Sequence, residues 1–181
     1  MVEAAQLVFV ASLAVTEVLH ELYGLQAGVK WPNDVLIKDR KVCGILAESS
    51  TTNNMVDYVV LGVGINANFN VKKALPEHLW GDTTSIRSEL GHSVRFEKLF
   101  VKLIEKLEKT SDLFLKEGFA RILPDWKRYA CFLGCTVDVN EGSERLSGLA
   151  LDVNLDGSLV MQVENGTIRH FLVGDISLRA H

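Results

Sequence analysis

The sequence predicts an α+β protein built in two regions. Three observations predict it. A long apolar helix at residues 4–23 runs into a series of short apolar strands, a second long helix has strict amphipathic spacing, and beyond about Phe132 the hydrophobic period changes to two. A chain of 181 residues holds one domain of ordinary size, or a medium domain with a small appendage. Its 48% hydrophobic and 23% charged residues are the composition of a soluble globular protein with a sizeable core. The net charge of −4 and the lack of a Lys/Arg-rich tract argue against nucleic acid as a partner.

The first helix carries Ala, Leu, Val and Phe at nearly every helical phase, so it should be enclosed on most sides. Its apolar run, Leu7 to Val15, is not read as a secretory leader. Glu3 and Gln6 precede it without a basic segment, and Thr16-Glu17 follows after only nine residues. The run itself is too short to cross a bilayer. Gly24 and Gly28 break the helix, and strands follow at Val29–Trp31, Val35–Ile37 and Val42–Glu48, with a turn at Lys38–Lys41. After a turn at Thr51–Asn54, the apolar run Tyr58–Ile65 is long enough for a central strand. Residues 66–81 read as a loop, and Asp82 is placed to cap a short helix ending before Gly91.

The second long helix places Phe96, Leu99, Phe100, Leu103, Ile104 and Leu107 on one face and Lys and Glu on the other, reaching Lys116 before Gly118. A shorter helix covers Phe119–Tyr129 and is perturbed by Pro124. Strands are then expected at Thr136–Val139, Leu146–Val153, Ser158–Val163 and Thr167–Val173. Asn140-Glu141-Gly142, Asp156-Gly157 and Asn165-Gly166 separate them. Asp-Gly and Asn-Gly tolerate positive φ and signal hairpins, so this region reads as a small β-barrel. The three cysteines, Cys43, Cys131 and Cys135, lack the spacing of a zinc site and read as buried, reduced thiols.

Two segments carry chemistry. Lys30-Trp31-Pro32-Asn33-Asp34 is a cationic turn. Pro32 keeps Trp31 out of the helical region, and Asn33 and Asp34 can close the turn with their side chains. An ammonium on so rigid a base suits a carboxylate or phosphate, although a surface lysine beside an ordinary Pro-Asn turn has the same sequence. Gly62 and Gly64 lie inside an apolar strand, which they weaken unless a flat ligand or a packed helix must come close to the backbone. The third glycine and following helix of a dinucleotide fingerprint are absent. Gly44-Ile45-Leu46 repeats the small-residue theme, and Asn66 ends the strand with a donor and an acceptor for a heterocycle.

Taken in order, Lys30 to Asp34, Lys41-Val42-Cys43-Gly44-Ile45-Leu46-Ala47-Glu48 and Val60-Leu61-Gly62-Val63-Gly64-Ile65-Asn66 resemble the signature of biotin–protein ligases. The ending Gly174-Asp175-Ile176-Ser177-Leu178-Arg179 resembles that family's C-terminus, so the similarity runs over essentially the whole chain. The resemblance implies a catalytic domain with a mixed sheet like those of class II synthetases and lipoate ligases, here residues 1–131, followed by an SH3-like barrel at residues 132–181. It implies joining of biotin to ATP, with Mg²⁺ as activator, to give biotinyl-5′-AMP, and transfer of biotin to a lysine of a biotin carboxyl carrier protein domain. No tightly bound cofactor, protein-held metal, DNA partner or membrane is implied, and the expected location is the cytoplasm.

By the same resemblance, Lys30 contacts the biotin carboxylate and the α-phosphate and is, with Asp34, a catalytic residue. Gly44, Ile45 and Leu46 line the biotin pocket, and Gly62 and Gly64 leave room for the ligand. Asn66 and Arg179 contact the adenylate. For Asp34, orienting Lys30, assisting Mg²⁺ and a purely structural turn all stay open. The family's Gly/Arg-rich loop of form GRGRxGR, which precedes the apolar helix, has no match here. The expectation is therefore a fragment that forms a homodimer or needs a complementing N-terminal piece. Its standalone activity is in question because that loop surrounds the phosphate and excludes water. The alternatives are a non-catalytic binding or oligomerisation module, and an acyl ligase for lipoate or another acid. The barrel and the Trp-Pro-Asn-Asp turn count against the last.

Overall fold

A computed structural model describes residues 2–53, 55–141, 144–172 and 174–178. Helix α1 (Val2–Tyr23) leads into a four-stranded antiparallel sheet of β1 (Ala27–Lys30), β2 (Asp34–Ile37), β3 (Arg40–Thr52) and β4 (Met55–Ile65), in that spatial order. Short helices α2 (Val71–Ala74) and α3 (Ile86–Leu90) flank a single 3₁₀ turn (Glu77–Leu79). The long helix α4 (Phe96–Glu117) and α5 (Phe119–Lys127) precede a second sheet. That sheet contains β5 (Thr136–Glu141), β6 (Glu144–Val153), β7 (Leu159–Val163), β8 (Ile168–Phe171) and β9 (Asp175–Leu178), in the order β8-β7-β6-β5-β9. Both sheets pair antiparallel along their strands, and parallel pairing is confined to isolated bridges, Val29 with Ala130 and Lys41 with Thr83.

Helix α1 is enclosed as its composition predicts: Phe9, Val10, Ala11, Leu13, Ala14, Val15, Val18 and Leu19 are all buried. At 22 residues it is longer than its apolar run and, by length and composition, long enough to span a bilayer. Its packing assigns it to a protein core instead. Val15, Val18 and Leu19 meet the first sheet, while Phe9, Val10 and Leu13 meet α5 and the second sheet. Each such side chain contributes roughly 1.5–3 kcal/mol by burial. On the far side Lys106 of α4 bridges Glu17 and Glu21 at 3.2 and 2.5 Å.

Several boundaries differ from the sequence expectation, each for a physical reason. The strand expected to be central, Tyr58–Ile65, is the outer strand of its sheet and starts earlier, at Met55. Its alternate residues face solvent, with Tyr58 62% and Val60 53% exposed. Helix α3 is capped by Ser85, whose Oγ accepts from Ser88 N at 3.1 Å; Asp82 instead gives its carbonyl to Lys41 N. Residues 66–81 include α2 and the 3₁₀ turn as well as loop. On α4 only part of the apolar stripe is buried: Leu99 and Leu103 are covered, whereas Phe96, Phe100 and Ile104 are exposed. Cys43 alone is buried; Cys135 is half-buried and Cys131 exposed.

One continuous core crosses the expected boundary at residue 131. Phe9, Leu13, Trp31, Phe119 and Trp126 share a buried cluster with Phe132, Val137, Val139, Leu159, Met161, Phe171 and Ile176.

Candidate functional site

The cationic turn joins β1 to β2. Lys30 pairs with Asp34 across it, and the Trp31–Pro32 peptide is cis. Of the two side chains expected to close the turn, Asp34 does bridge it, to Lys30 at 3.5 Å, whereas Asn33 reaches to β3 instead. Asn33 Nδ2 donates to Ile45 O at 2.8 Å and Asn33 O accepts from Ile45 N at 3.0 Å, so Asn33 fixes β3 from both sides. Trp31 is fully buried, and its indole N–H donates to Gly157 O, in the turn between β6 and β7 of the second sheet, at 2.9 Å. A rigid base for the charges is thus built from parts 126 residues apart.

Asp34 is 7% exposed and faces two ammonium groups. Lys41 Nζ lies 2.6 Å from Oδ1, and Lys30 Nζ lies 3.5 Å from Oδ2. Lys30 also lies 3.4 Å from Asp175 Oδ1 at the start of β9, and its side chain is only 16% exposed. Lys41 is different: its side chain is 46% exposed, and it runs over Gly44 to reach Asp34. A Cβ added at Gly44 would sit 2.9 Å from Lys41 Cε and 3.1 Å from its Nζ. The glycine is therefore what lets the lysine lie flat on the sheet.

Register completes the site. Gly44 pairs with Gly64 and Leu46 with Gly62, so bare glycines and one exposed leucine share a face. No other part of the described protein fills the space above Gly62 and Gly64; the nearest atoms to an added Cβ belong to β3 itself, at 3.6 Å or more. The result is an open groove of about 510 Å³ lined by Asn33, Lys41, Gly44, Ile45, Leu46, Gly62, Val63 and Gly64. Ile45 is 2% exposed and belongs to the core, so its contribution to the groove is backbone.

The structure brings together Gly44, Ile45, Leu46, Gly62 and Gly64 in one groove, sets Asp34 at its edge by Gly44, and joins Lys30 to it through Asp34. Lys30 does not line the groove; Lys41 does. Sequence reasoning missed Lys41 because both lysines stand in motif segments and only the β2–β3 register says which reaches the glycine floor. Asn66 uses its amide group on Lys41 O (3.3 Å) and Thr84 O (3.0 Å), so its side-chain oxygen is what it can offer a ligand. Arg179 lies outside the described residues.

Neighbouring groups are chemically quiet. Burial, with Asp34 adding to it and Lys41 opposing it, pushes the Cys43 thiol up to about 12. Cys131 is exposed as a residue, but its Sγ turns in against the Val29 carbonyl at 3.2 Å, and the loss of water around the sulfur lifts the thiol to about 11. Both thiols stay protonated and are poor nucleophiles near neutral pH. A second depression of about 450 Å³ is lined by His20, Gly28, Lys38, Arg128, Tyr129 and Cys131 among others, and four of its polar side chains have partners. His20 bonds the Ala27 backbone, Cys131 the Val29 carbonyl, Lys38 Glu89 and Arg128 Asp125.

Comparison with known proteins points one way. Residues 2–66 match the biotin/lipoate A/B protein ligase family. The chain is 30% identical to the bifunctional ligase/repressor BirA of Escherichia coli (strain K12), over 98% of its own length and 54% of that protein. It is 32% identical to the biotin–[acetyl-CoA-carboxylase] ligase of Paracoccus denitrificans, over 88% of this chain and 67% of the relative. The chain thus spans about half the length of the BirA relatives it matches. Among solved structures, the apo biotin protein ligase of Aquifex aeolicus superposes with a TM-score of 0.84 at 26% identity, covering 98% of this chain and 76% of that one. The same protein in complex with biotin and ATP gives 0.81 at 25% identity, over 98% of this chain and 72% of that one.

Proposed function

Because this chain belongs to the biotin–protein ligase family, we propose that its groove serves the activation of biotin: biotin and ATP give biotinyl-5′-AMP and pyrophosphate, and the biotinyl group then passes to a lysine of a biotin carboxyl carrier protein domain. One observation carries this reading: the Lys41 ammonium is drawn by Asp34 over Gly44, at one end of a groove whose floor Gly62 and Gly64 continue. A cation at that place neutralises the carboxylate as it nears the α-phosphate and stabilises the charge that gathers on the phosphate oxygens. The glycine floor lets a flat ring lie against backbone, and Leu46, 59% exposed, supplies apolar contact. That a relative has been solved with biotin and ATP bound supports the choice of ligands.

In this reading Lys41 takes the ligand-facing role expected of Lys30, and Lys30 stands behind Asp34. Asn66 offers its side-chain oxygen to the adenine side, and Arg179 is carried as an adenylate contact from the family resemblance. Asp34 orients the lysines. With its oxygens facing two ammonium groups it does not fit a metal ligand, and among the described residues no three His, Cys, Asp or Glu gather around a point. Mg²⁺ is accordingly read as entering on the nucleotide, as part of the substrate. The division at residue 131 and a cytoplasmic location belong to the same proposal.

The 181-residue chain incubated with biotin, MgATP and a carrier domain is expected to release pyrophosphate and label the carrier, with Lys41→Met lowering both about a hundredfold. Folded protein that yields neither product would overturn the enzyme reading. The second reading, a non-catalytic binding or oligomerisation module, is favoured by one feature. Among the described residues no strand pairs with the outer edge of β4, and Leu46, Tyr58 and Val60 are exposed beside it. A homodimer or a complementing polypeptide would cover that edge.

A further inference from the structure

We propose that Lys30 is a positioning residue that competes with Lys41 for Asp34, and that Asp175 sets the outcome of the competition; the consequence for ligand rests on the function proposed above. Four charges alternate in sign from the groove to the start of β9: Lys41, Asp34, Lys30 and Asp175, at 2.6, 3.5 and 3.4 Å in turn. A nearly buried carboxylate facing one lysine would hold it tightly. Asp34 faces two, and their mutual repulsion weakens each pair. Lys30 has little freedom to leave, since its side chain is 16% exposed and its backbone lies in β1. Lys41, half exposed and lying along Gly44, is the partner an incoming anion can capture.

Asp175 acts on this balance from the second sheet. Its position is set by pairing and packing: Asp175 pairs with Asn140 of β5, a Cβ on the preceding Gly174 would sit only 3.0 Å from Asn140 O, and the same glycine lies in ordinary contact range of Trp31 Cζ3 in the turn, 3.7 Å from the Cβ position. Asp175 draws the Lys30 ammonium away from Asp34. Without its charge Lys30 falls back on Asp34, and Lys41 is freed. Without Lys30, Asp34 keeps Lys41 to itself. The two losses therefore have opposite signs at Lys41, which a purely structural role for the pair does not produce. Asp175 is 69% exposed, so the effect is modest, about two- to fivefold.

The test uses the 181-residue chain without ligand. The side-chain ammonium signal of Lys41 in ¹⁵N-labelled protein, assigned through Lys41→Arg, reports how fast its protons exchange with water. Exchange is expected to slow about two- to fivefold in Lys30→Met, or in Lys30→Gln should the methionine variant fail to fold, and to quicken by a similar factor in Asp175→Asn. Asp175→Glu should restore the original rate. Changes in the same direction in the two charge-removing variants, or none in either, overturn the inference. Calorimetric biotin affinities of the same proteins are expected to fall in Lys30→Met and rise in Asp175→Asn. If the unsubstituted chain binds no biotin, the proposed function fails, while the exchange rates still decide the competition.

Discussion

At Gly44 the absence of a side chain decides where a charge sits. An added methyl would meet only the far end of Lys41, a flexible arm that can move aside, and not backbone. Gly44→Ala should therefore fold with stability within about 1 kcal/mol of the original, since Ala suits a strand interior at least as well as Gly. Lys41 would be lifted off the floor, and the biotin activation proposed above should fall about tenfold or more. Thermal melting and pyrophosphate release measured on the same sample check both halves of this statement; a variant that melts normally and stays fully active removes Lys41 from the site. The spacing of Gly44, Gly62 and Gly64 was legible because glycine in an apolar strand needs a reason. Lys41 was not, because nothing local distinguishes it from Lys30. Asp34 lies opposite Gly44 across the β2–β3 pairing, with a register shift between Val35 and Leu36, and that arrangement brings Lys41 back over the glycine.

At the scale of the element, the hairpin that delivers Lys41 turns on two non-glycine residues at positive φ, Lys38 at 50° and Asp39 at 61°. Left-handed lysine is uncommon, and its neighbourhood compensates. Lys38 and Arg40 reach Glu89 of α3 at 3.1 and 2.6 Å, and Thr84 Oγ1 donates to the same carboxylate at 2.5 Å. Burial pushes the Glu89 pKa up, but the Thr84 and Lys38 hydrogen bonds and the Arg40 charge outweigh it and hold the group below the usual carboxylate range. The unfolded chain therefore takes up the Glu89 proton first. The stability this group contributes is fully present above the ordinary value of about 4.3 and is lost as pH falls through the lower folded value. Denaturant titrations at neutral pH and near pH 4 should show that loss, and Glu89→Gln should flatten it while costing stability at neutral pH. An unchanged pH slope in the variant would place the acid sensitivity elsewhere; Glu21 and Asp156 are also held low. The helix α4 was legible from its spacing. The exposure of Phe96, Phe100 and Ile104 was not, because periodicity gives the direction of an apolar stripe and not how wide a neighbour covers it.

At the scale of the whole molecule, the two regions read from the sequence share their interior. Trp31, Phe9 and Trp126 belong to the first region, yet they are packed with Phe132, Leu159, Met161 and Phe171 of the second. Hydrogen bonds pin the same seam: Trp31 Nε1 to Gly157 O, and Gln6 Nε2 to Leu155 O. A common core predicts one cooperative unfolding transition by calorimetry. Trp31→Phe keeps most of the packing but leaves the Gly157 carbonyl without its buried donor, at a cost of about 1–3 kcal/mol. Hydrogen exchange should then rise together in residues 27–65 and 136–171. Two separate transitions, or a change confined to one region, would mean that the seam does not couple them.

The sequence by itself determined most of the elements and the change of period near residue 132, because these are written in local spacing, apolar residues three and four apart and alternation at two; the family came from the resemblance of Lys30–Asp34, Lys41–Glu48 and Val60–Asn66 to its signature. The resemblance named Gly44, Ile45, Leu46, Gly62 and Gly64, and the β3–β4 pairing sets these five along one groove. Only the tertiary structure decided which lysine faces the groove, that Asp34 is shared by two cations, and that the Lys30–Asp34 turn leans on Gly157 and Asp175 of the second sheet. Those facts depend on register and on contacts across more than a hundred residues, and a charge or a hydrogen bond acts through distance in space, which no local pattern in the chain records.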